Sequence, residues 1–278
     1  MENNLRSILS KHGFTFSKSF GQNFLTDKDL LSDIVNKAGV KNSDTVLEIG
    51  CGAGALTYFL AKSAKKVVGY EIDERLKPVL SETLFGLDNV EIVFKNVLKE
   101  DFISLERKLG KDYIMVANLP YYITTDILTL FLEKGKNIKA MAIMVQKEVA
   151  DRLAASVGTA EYGAITVAVN LRGSAKIIKE VPREMFTPVP NVDSAVVLIT
   201  IEQDKFDADF DRVRKLVKCG FGNRRKMLVN NLMKSYGINR ELAERLLTLS
   251  EIDVSRRGET LSAKDYVNLS KIMEENGL

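Results

Sequence analysis

Apolar residues in this chain form short runs separated by stretches with a helical repeat. Five runs rich in Val, Ile and Leu are interpreted as buried strands, at 45–50, 66–72, 89–94, 112–117 and 139–145. Helical stretches such as GALTYFLAKSA and DERLKPVLSETLFG lie between them. Strands that are apolar along their whole length are typical of a parallel sheet with both faces covered. The pattern therefore predicts an α/β fold with a mainly parallel sheet.

Two later apolar runs, 174–181 and 193–201, predict two more strands. The loop between them, PREMFTPVPN, holds three of the five prolines in the chain. Because proline has a fixed φ and no backbone N–H, this loop is predicted to be a fixed connection and not a helix. Its length suits an antiparallel return at the sheet edge.

The character of the chain changes after about residue 202. Leu, Val and Met recur at helical spacing in four successive segments: FDRVRKLVKCGFG, RRKMLVNNLMKSYG, NRELAERLLTLSE and SAKDYVNLSKIMEENG. We therefore predict two domains, an α/β domain over 1–202 and a small all-helical domain over 203–278.

The 278 residues carry a formal net charge of +3, and the charges are unevenly distributed. Residues 212–240 contain nine Lys or Arg and no Asp or Glu. Such segregated charge attracts polyanions, although an isolated cluster of this kind is more often a solvated helix face. The two cysteines, Cys51 and Cys219, are far apart, which favours a reducing cytoplasm over a disulfide framework. No apolar segment suits a secretion signal or a membrane span.

A glycine-rich turn, LEIGCGAGALT, follows the first predicted strand. Gly50, Gly52 and Gly54 allow a sharp turn and a close approach of the backbone to a ligand. Glu71, at the end of the next strand, is placed to accept hydrogen bonds from two ribose hydroxyls. Dinucleotides and S-adenosylmethionine (SAM) both use this arrangement. The acidic Glu48 beside the turn suits a cationic ligand better than a pyrophosphate, which favours SAM.

The segment NLPYY (118–122) ends the fourth strand and contains no base. The nitrogen of an exocyclic amino group is a poor nucleophile, because its lone pair is delocalised into the ring. Two acceptors, the Asn118 side-chain oxygen and the Leu119 carbonyl, can receive both N–H groups and direct the lone pair at a methyl donor. Pro120 fixes the backbone and Tyr121 offers a ring for stacking on the base. Alternatively, the segment is an ordinary strand-to-helix turn.

Six motifs in order resemble the KsgA family of rRNA adenine N6-dimethyltransferases. They are FGQNFL, LEIGCGAGALT, VANLPYYITT, VQKEVADRL, EMFTPVPNVDSAVV and FGNRRKMLVNNL, and they run over nearly the whole chain. The resemblance implies a Rossmann-like SAM-dependent methyltransferase domain, with an N-terminal arm, and a helical domain that contacts RNA. It also implies N6,N6-dimethylation of two adjacent adenosines in the 3′-terminal hairpin of small-subunit (16S) rRNA, on a 30S assembly intermediate.

The resemblance also implies roles for individual residues. Gln22, Asn23 and Leu25 in the N-terminal arm close over SAM. Gly50 and its neighbours form the floor of the SAM site, Glu71 binds the ribose, and Asn96 contacts the adenine of SAM. Asn118 also belongs to the SAM site. The target amine lies against the segment from Asn118 to Tyr121, and Phe186 stacks on the other face of the target adenine. The RNA-binding residues implied by FGNRRKML are Arg224, Arg225 and Lys226.

The chain departs from the family pattern at two positions. Asn96 stands where the family commonly has Asp, so SAM binding is expected to persist with a weaker polar contact. Asn191 stands in PNVDSA where the family has Lys, so one contact to the RNA backbone is lost. No metal or membrane is expected as a partner, and a monomer is taken as the default oligomeric state.

Three other functions are weighed against this one. An Erm-type 23S rRNA adenine methyltransferase shares the Gly turn and the Asn-x-Pro-Tyr signature, but RRKML, RRGETLS and the longer C-terminal domain favour the small-subunit enzyme. A non-catalytic RNA-binding assembly factor is favoured only by Asn96. A dinucleotide-dependent oxidoreductase leaves NLPYY without a role.

Overall fold

The computed structural model describes residues 2–15 and 23–278. The helices in these ranges are α1 (Glu2–Lys11), α2 (Lys28–Lys37), α3 (Ala55–Ser63), α4 (Lys77–Thr83), α5 (Phe102–Leu109), α6 (Thr124–Lys134), α7 (Lys147–Leu153), α8 (Ala164–Arg172), α9 (Phe210–Gly222), α10 (Leu228–Tyr236), α11 (Arg240–Leu249) and α12 (Ala263–Glu275). The strands are β1 (Phe24–Leu25), β2 (Thr45–Ile49), β3 (Lys66–Glu71), β4 (Val90–Phe94), β5 (Tyr113–Asn118), β6 (Ile138–Gln146), β7 (Gly173–Val181), β8 (Phe186–Thr187) and β9 (Ser194–Ile201).

Seven strands form one sheet in the order β4-β3-β2-β5-β6-β9-β7. The pairs from β4 to β6 are parallel, and β9 runs antiparallel to β6. All seven of these strands lie where the apolar runs predict them, so the predicted α/β fold is confirmed. Their central residues, such as Val46, Met115 and Ile143, are fully buried. That burial is the reason the central strands are rich in Val, Ile, Leu and Met.

The direction of chain progression reverses at the centre of this sheet. From β2 the chain adds β3 and β4 on one side, and it then returns to add β5 and β6 on the other. In open α/β sheets a crevice forms outside the carboxyl ends of the strands at such a switch point. The Gly turn follows β2 and NLPYY follows β5, so this topology brings the two motifs to the same crevice.

The proline-rich loop is not entirely irregular. It contains a short 3-10 turn at Arg183–Met185 and then the two-residue strand β8, which pairs antiparallel with β1 of the N-terminal arm. Leu25 is the register partner of Phe186. The sequence shows no alternation at either place because a two-residue strand is too short to establish one.

Contacts divide the chain into two compact units, 1–150 with 175–201, and 151–174 with 202–278. One junction between the units lies at Ile201–Glu202, and the second unit also contains 151–174. Tyr162, Val167 and Leu171 from that segment are buried in the core of the helical unit, where α8 packs against α9 and α12. No helix in the described residues combines the length and apolar composition needed to cross a membrane.

One predicted helix begins later than its spacing suggests. RRKMLVNNLMKSYG has helical periodicity throughout, yet α10 starts only at Leu228. Met227 has extended backbone angles and forms an isolated antiparallel bridge with Arg257, and the Leu228 N–H donates to the Arg256 carbonyl over 2.8 Å. These backbone contacts hold residues 224–227 in a turn.

Candidate functional site

A cavity of about 250 Å³ lies at the carboxyl ends of β2 and β5. Its lining includes Gly50, Gly52, Glu71 and Asn96 from the Gly turn and the neighbouring strand ends. The four residues from Asn118 to Tyr121 contribute to the same cavity, as do Asn23, Leu25 and Phe186. Gln22 lies outside the described residues. The structure thus places most of the predicted site residues around a single cavity.

The Gly turn is fastened to β3 by a carboxylate. Glu71 Oε2 accepts a hydrogen bond from the Gly52 N–H over 2.8 Å, and its Oε1 accepts from the N–H groups of Ile72 and Asp73 over 2.8 and 2.9 Å. Burial raises the pKa of Glu71, and these three backbone donors oppose the rise. A carboxylate offers about four acceptor positions, so Glu71 still has capacity for a ligand hydroxyl.

All three glycines of the turn have positive φ, and the two that line the cavity are Gly50 with φ 78° and Gly52 with φ 53°. A Cβ at Gly52 would lie 3.1 Å from the Phe24 ring, so a side chain there would crowd the cavity. Gly54 also has a positive φ, but it does not line the cavity. It is the N-cap of α3, and a Cβ there would meet Leu80 at 3.0 Å.

Glu48 is a buried carboxyl in the wall of this cavity. Neither of its oxygens has a hydrogen-bond partner among the described residues. Burial raises the pKa of Glu48 to about 8; the nearby Thr57 and Cys51 side chains oppose the rise, and the negative charge of Glu71 adds to it. A buried carboxyl is costly to ionise. A cation brought into the cavity would lower that cost and would itself be stabilised by the resulting carboxylate.

The raised pKa of Glu48 predicts a pH-dependent stability. Between the ordinary value of 4.5 and about 8, the unfolded chain has lost this proton and the folded chain retains it. The free energy of unfolding should therefore fall as pH rises through this window, by up to about 1.4 kcal/mol per pH unit from this group. We expect Glu48→Gln to flatten that slope, measured by urea unfolding at several pH values. The exposed Glu74→Gln is the control, and a slope in Glu48→Gln as steep as in the control would contradict the assignment.

NLPYY presents two oxygen acceptors at the cavity wall. The Asn118 side-chain N–H donates to the Asn23 carbonyl over 3.3 Å, which assigns the amide so that Oδ1 is the free end. No hydrogen bond to Asn118 Oδ1 or to the Leu119 carbonyl is found among the described residues. The next carbonyl, of Pro120, is occupied by the Ile123 N–H and the Thr124 hydroxyl. Both acceptors that the sequence singles out are therefore available.

Sequence reasoning missed a residue that orients Tyr121. The Tyr121 hydroxyl lies 2.9 Å from Ser194 Oγ, and Ser194 is fully buried at the start of β9. The only sequence signal is a polar residue opening an apolar strand. Tyr122, the second tyrosine of NLPYY, also lines the cavity, and 61% of its surface is exposed.

Phe186 and Asn96 have contacts that the sequence did not predict. Phe186 is only 2% exposed and belongs to the hydrophobic core. It also lines the cavity, so it forms part of the cavity wall. Asn96 Oδ1 accepts from the Leu98 N–H over 3.0 Å and caps a short 3-10 turn. One lone pair of that oxygen remains for a ligand, as expected for an amide acceptor.

The three predicted RNA-binding cations lie in the helical unit and have different surroundings. Arg224 donates to Glu259 Oε2 over 2.7 Å and to the Tyr162 carbonyl over 3.0 Å. Arg225 and Lys226 are exposed, and neither side chain has a partner in the part of the chain that the structure describes. Within residues 2–15 and 23–278, no group of three or more His, Cys, Asp or Glu could hold a metal ion.

Comparisons with known proteins agree with the motifs. Curated relatives named "Ribosomal RNA small subunit methyltransferase A" include one from Enterococcus faecalis, 44% identical over 98% of this chain and 95% of the relative. Another, from Geobacillus thermodenitrificans, is 45% identical over 96% of this chain and 94% of the relative.

Solved structures give the same result for the fold. A dimethyladenosine transferase from Plasmodium falciparum superposes with a TM-score of 0.78 at 27% identity, covering 92% of this chain and 98% of that one. The 23S rRNA methyltransferase ErmE superposes with a TM-score of 0.70 at 26% identity, covering 91% and 100%. The family model described as "Ribosomal RNA adenine dimethylase" matches residues 13–275. The chain therefore belongs to the ribosomal RNA adenine dimethylase family.

Proposed function

We propose that this protein transfers methyl groups from SAM to N6 of two adjacent adenosines in the 3′-terminal hairpin of 16S rRNA. The small-subunit substrate follows from relatives at 44–45% identity, whereas the 23S enzyme is 26% identical. The observation that carries the chemistry is the pair of free oxygen acceptors at Asn118 and Leu119. They lie in the same cavity as the Gly turn and Glu71.

The residues of the cavity fit SAM as the methyl donor. SAM supplies, when bound, a methyl group on a positively charged sulfur. The buried, unpartnered Glu48 carboxyl suits a cationic ligand and would be poorly placed beside a pyrophosphate. Glu71 offers its remaining acceptor positions to ribose hydroxyls, and Asn96 offers an oxygen to the adenine amino group. Asn23 and Leu25, which line the cavity, would close over this ligand.

The chain's own residues activate the target amine by positioning it. Asn118 Oδ1 and the Leu119 carbonyl each accept one N–H of the adenine amino group, which draws the nitrogen lone pair out of the ring and towards the methyl donor. Pro120 holds this backbone rigid, and Ser194 fixes the Tyr121 ring through its hydroxyl. With both acceptors placed in advance, no general base is needed and the proton leaves to water. Phe186 would face the other side of the flipped adenine as part of the wall.

The RNA partner is held by its phosphates. Exposed Arg225 and Lys226 suit contact with the backbone of small-subunit rRNA in a 30S assembly intermediate. The protein would act in the cytoplasm, and we take it to act as a monomer. Asn191 is exposed in the proline-rich loop and lacks the charge that lysine would supply there.

The test is to incubate the purified protein with radiolabelled SAM and small ribosomal subunits that lack the modification. We expect label in N6,N6-dimethyladenosine from the 3′-terminal hairpin, identified by nuclease digestion and chromatography. Label only in large-subunit RNA would support the 23S alternative. Subunit binding without label would support a non-catalytic assembly factor.

A further inference from the structure

The nine cations between residues 212 and 240 are not equivalent in the folded protein. Four have ion-pair partners within the helical unit. These pairs are Arg212 with Asp209, Arg214 with Asp211, Arg224 with Glu259 and Arg240 with Glu244. The remaining five are exposed and have no hydrogen-bond or ion-pair partner among the described residues; they are Lys215, Lys218, Arg225, Lys226 and Lys234.

Two of these free cations share one face of α9. At 100° per residue, Lys215 and Lys218 lie about 60° apart, on the side opposite the buried Val213, Leu216 and Val217. Side chains three residues apart on a helix are neighbours, with Cβ atoms about 5–6 Å apart. Asp211, one turn before Lys215, is already paired with Arg214 over 2.9 Å. The charge of this face is therefore not neutralised locally.

α9 is followed directly by the turn that carries Arg225 and Lys226. α9 ends at Gly222, and residues 223–227 connect it to α10. The Asn231 side chain donates to the carbonyls of Gly220 and Asn223 over 3.2 and 3.3 Å, which fixes the end of α9 and the first residue of the turn. Lys215, Lys218, Arg225 and Lys226 thus follow one another along α9 and its following turn, and the only other cation between Lys215 and Lys226 is the paired Arg224.

The segment RRGETLS (256–262) packs against the end of α9 and contacts the turn. A Cβ at Gly258 would lie 2.5 Å from the Gly220 carbonyl oxygen, so the two backbones are in close contact there. Arg224 reaches from the turn to Glu259, and it also binds the Tyr162 carbonyl. Arg256 makes hydrogen bonds to the Thr260 carbonyl and hydroxyl. Arg224 and Arg256 are therefore engaged within the protein.

We propose that Lys215, Lys218, Arg225 and Lys226 form one continuous binding surface for the phosphate backbone of RNA, and that Arg224 positions its turn without contacting phosphate. This α9 surface extends the RNA contact beyond residues 224–226 by two cations of α9, Lys215 and Lys218. The inference rests on the proposed function only for the identity of the RNA. Its physical basis is that free cations gain most from phosphate contact, whereas a paired guanidinium would first have to break its internal bonds.

The first test removes the helical part of the α9 surface. Affinity of the double variant Lys215→Gln/Lys218→Gln for small subunits lacking the modification is measured over a range of salt concentrations. Each lost phosphate contact should reduce the magnitude of the slope of log affinity against log salt by about 0.7–0.9. The slope measured for the double variant should therefore be smaller in magnitude by about 1.5. The matched control is Arg240→Gln/Arg245→Gln, which removes the same charge from α11, a helix that packs on α10 and α12. A slope equal to that of the control would overturn the α9 surface.

The second test separates positioning from contact at Arg224. Arg224→Glu should lower both the melting temperature and the affinity for subunits, because the turn loses its Glu259 anchor. The charge-swapped double variant Arg224→Glu/Glu259→Arg restores the ion pair but not the hydrogen bond to the Tyr162 carbonyl, so it should recover part of both losses relative to Arg224→Glu. A recovered melting temperature with affinity still as low as in Arg224→Glu would show that Arg224 itself contacts phosphate. Arg225→Glu should weaken binding without changing the melting temperature.

These measurements are independent of the methylation assay. If the unaltered protein binds subunits with the expected salt slopes but transfers no methyl group, the proposed function fails and the α9 surface stands. If it methylates the subunits and the slopes of the α9 variants are unchanged, the α9 surface fails alone.

Discussion

Replacing Asn118 with alanine is expected to reduce methyl transfer by at least about 100-fold, because one of two preorganised acceptors for the target amine is lost. Its Oδ1 is free at the cavity wall, while its amide N–H groups face the Asn23 carbonyl. The loss should appear in kcat, since the acceptor acts on the reacting nitrogen. It is measured with radiolabelled SAM and unmodified small subunits, alongside calorimetric SAM binding and subunit affinity, both of which should be retained.

Two variants control this prediction. Asn118→Asp keeps an oxygen acceptor and should retain more activity than Asn118→Ala. Asn191→Ala removes an exposed amide in the proline-rich loop, outside the cavity lining, and should transfer methyl groups at the parent rate. Full activity in Asn118→Ala would refute the proposed activation of the amine.

Replacing Glu71 with alanine is expected to weaken SAM binding by roughly 100-fold, the effect of losing hydrogen bonds to a charged acceptor. The same change leaves the Gly52 N–H without its partner and releases the Gly turn from β3. We therefore also expect a lower melting temperature, since an unpaired buried N–H costs about 1–3 kcal/mol. Calorimetry with SAM well below the melting transition separates the two effects.

The matched control for Glu71→Ala is Glu74→Ala. Glu74 is exposed, lies three residues further along the chain, and pairs only with Lys77 among the described residues. Its removal should leave SAM affinity unchanged. If Glu71→Ala binds SAM as tightly as Glu74→Ala does, Glu71 plays no part in the ligand site.

The positions of the sheet strands and of the Gly turn could be predicted because both are local patterns. A strand covered on both faces, such as β2 or β5, is apolar at most of its positions, and this can be recognised without knowing its partner strands. The positive φ angles at Gly50 and Gly52 are likewise a local requirement, and glycine is the residue that adopts them most readily. The motifs around these elements were specific enough to identify the family, which the comparisons confirm.

Contacts between distant segments could not be predicted. Ser194 meets Tyr121 across 73 residues of sequence, and Glu259 meets Arg224 across 35. No local pattern identifies either pair, because which side chains meet depends on how separate elements pack. For the same reason the membership of 151–174 in the helical unit and the burial of Phe186 emerged only from the folded chain.

The sheet, the turn chemistry, the family and the clustering of positive charge along the chain could all be predicted from residue order. Which of those polar atoms are available to a ligand depends on the folded chain. The fold ties the Asn118 amide nitrogen to the Asn23 carbonyl and leaves the oxygen open, and it pairs Arg224 but not Arg225 among the described residues. This division arises because residue type fixes what a group can bind, whereas packing fixes whether its partner already lies within the protein.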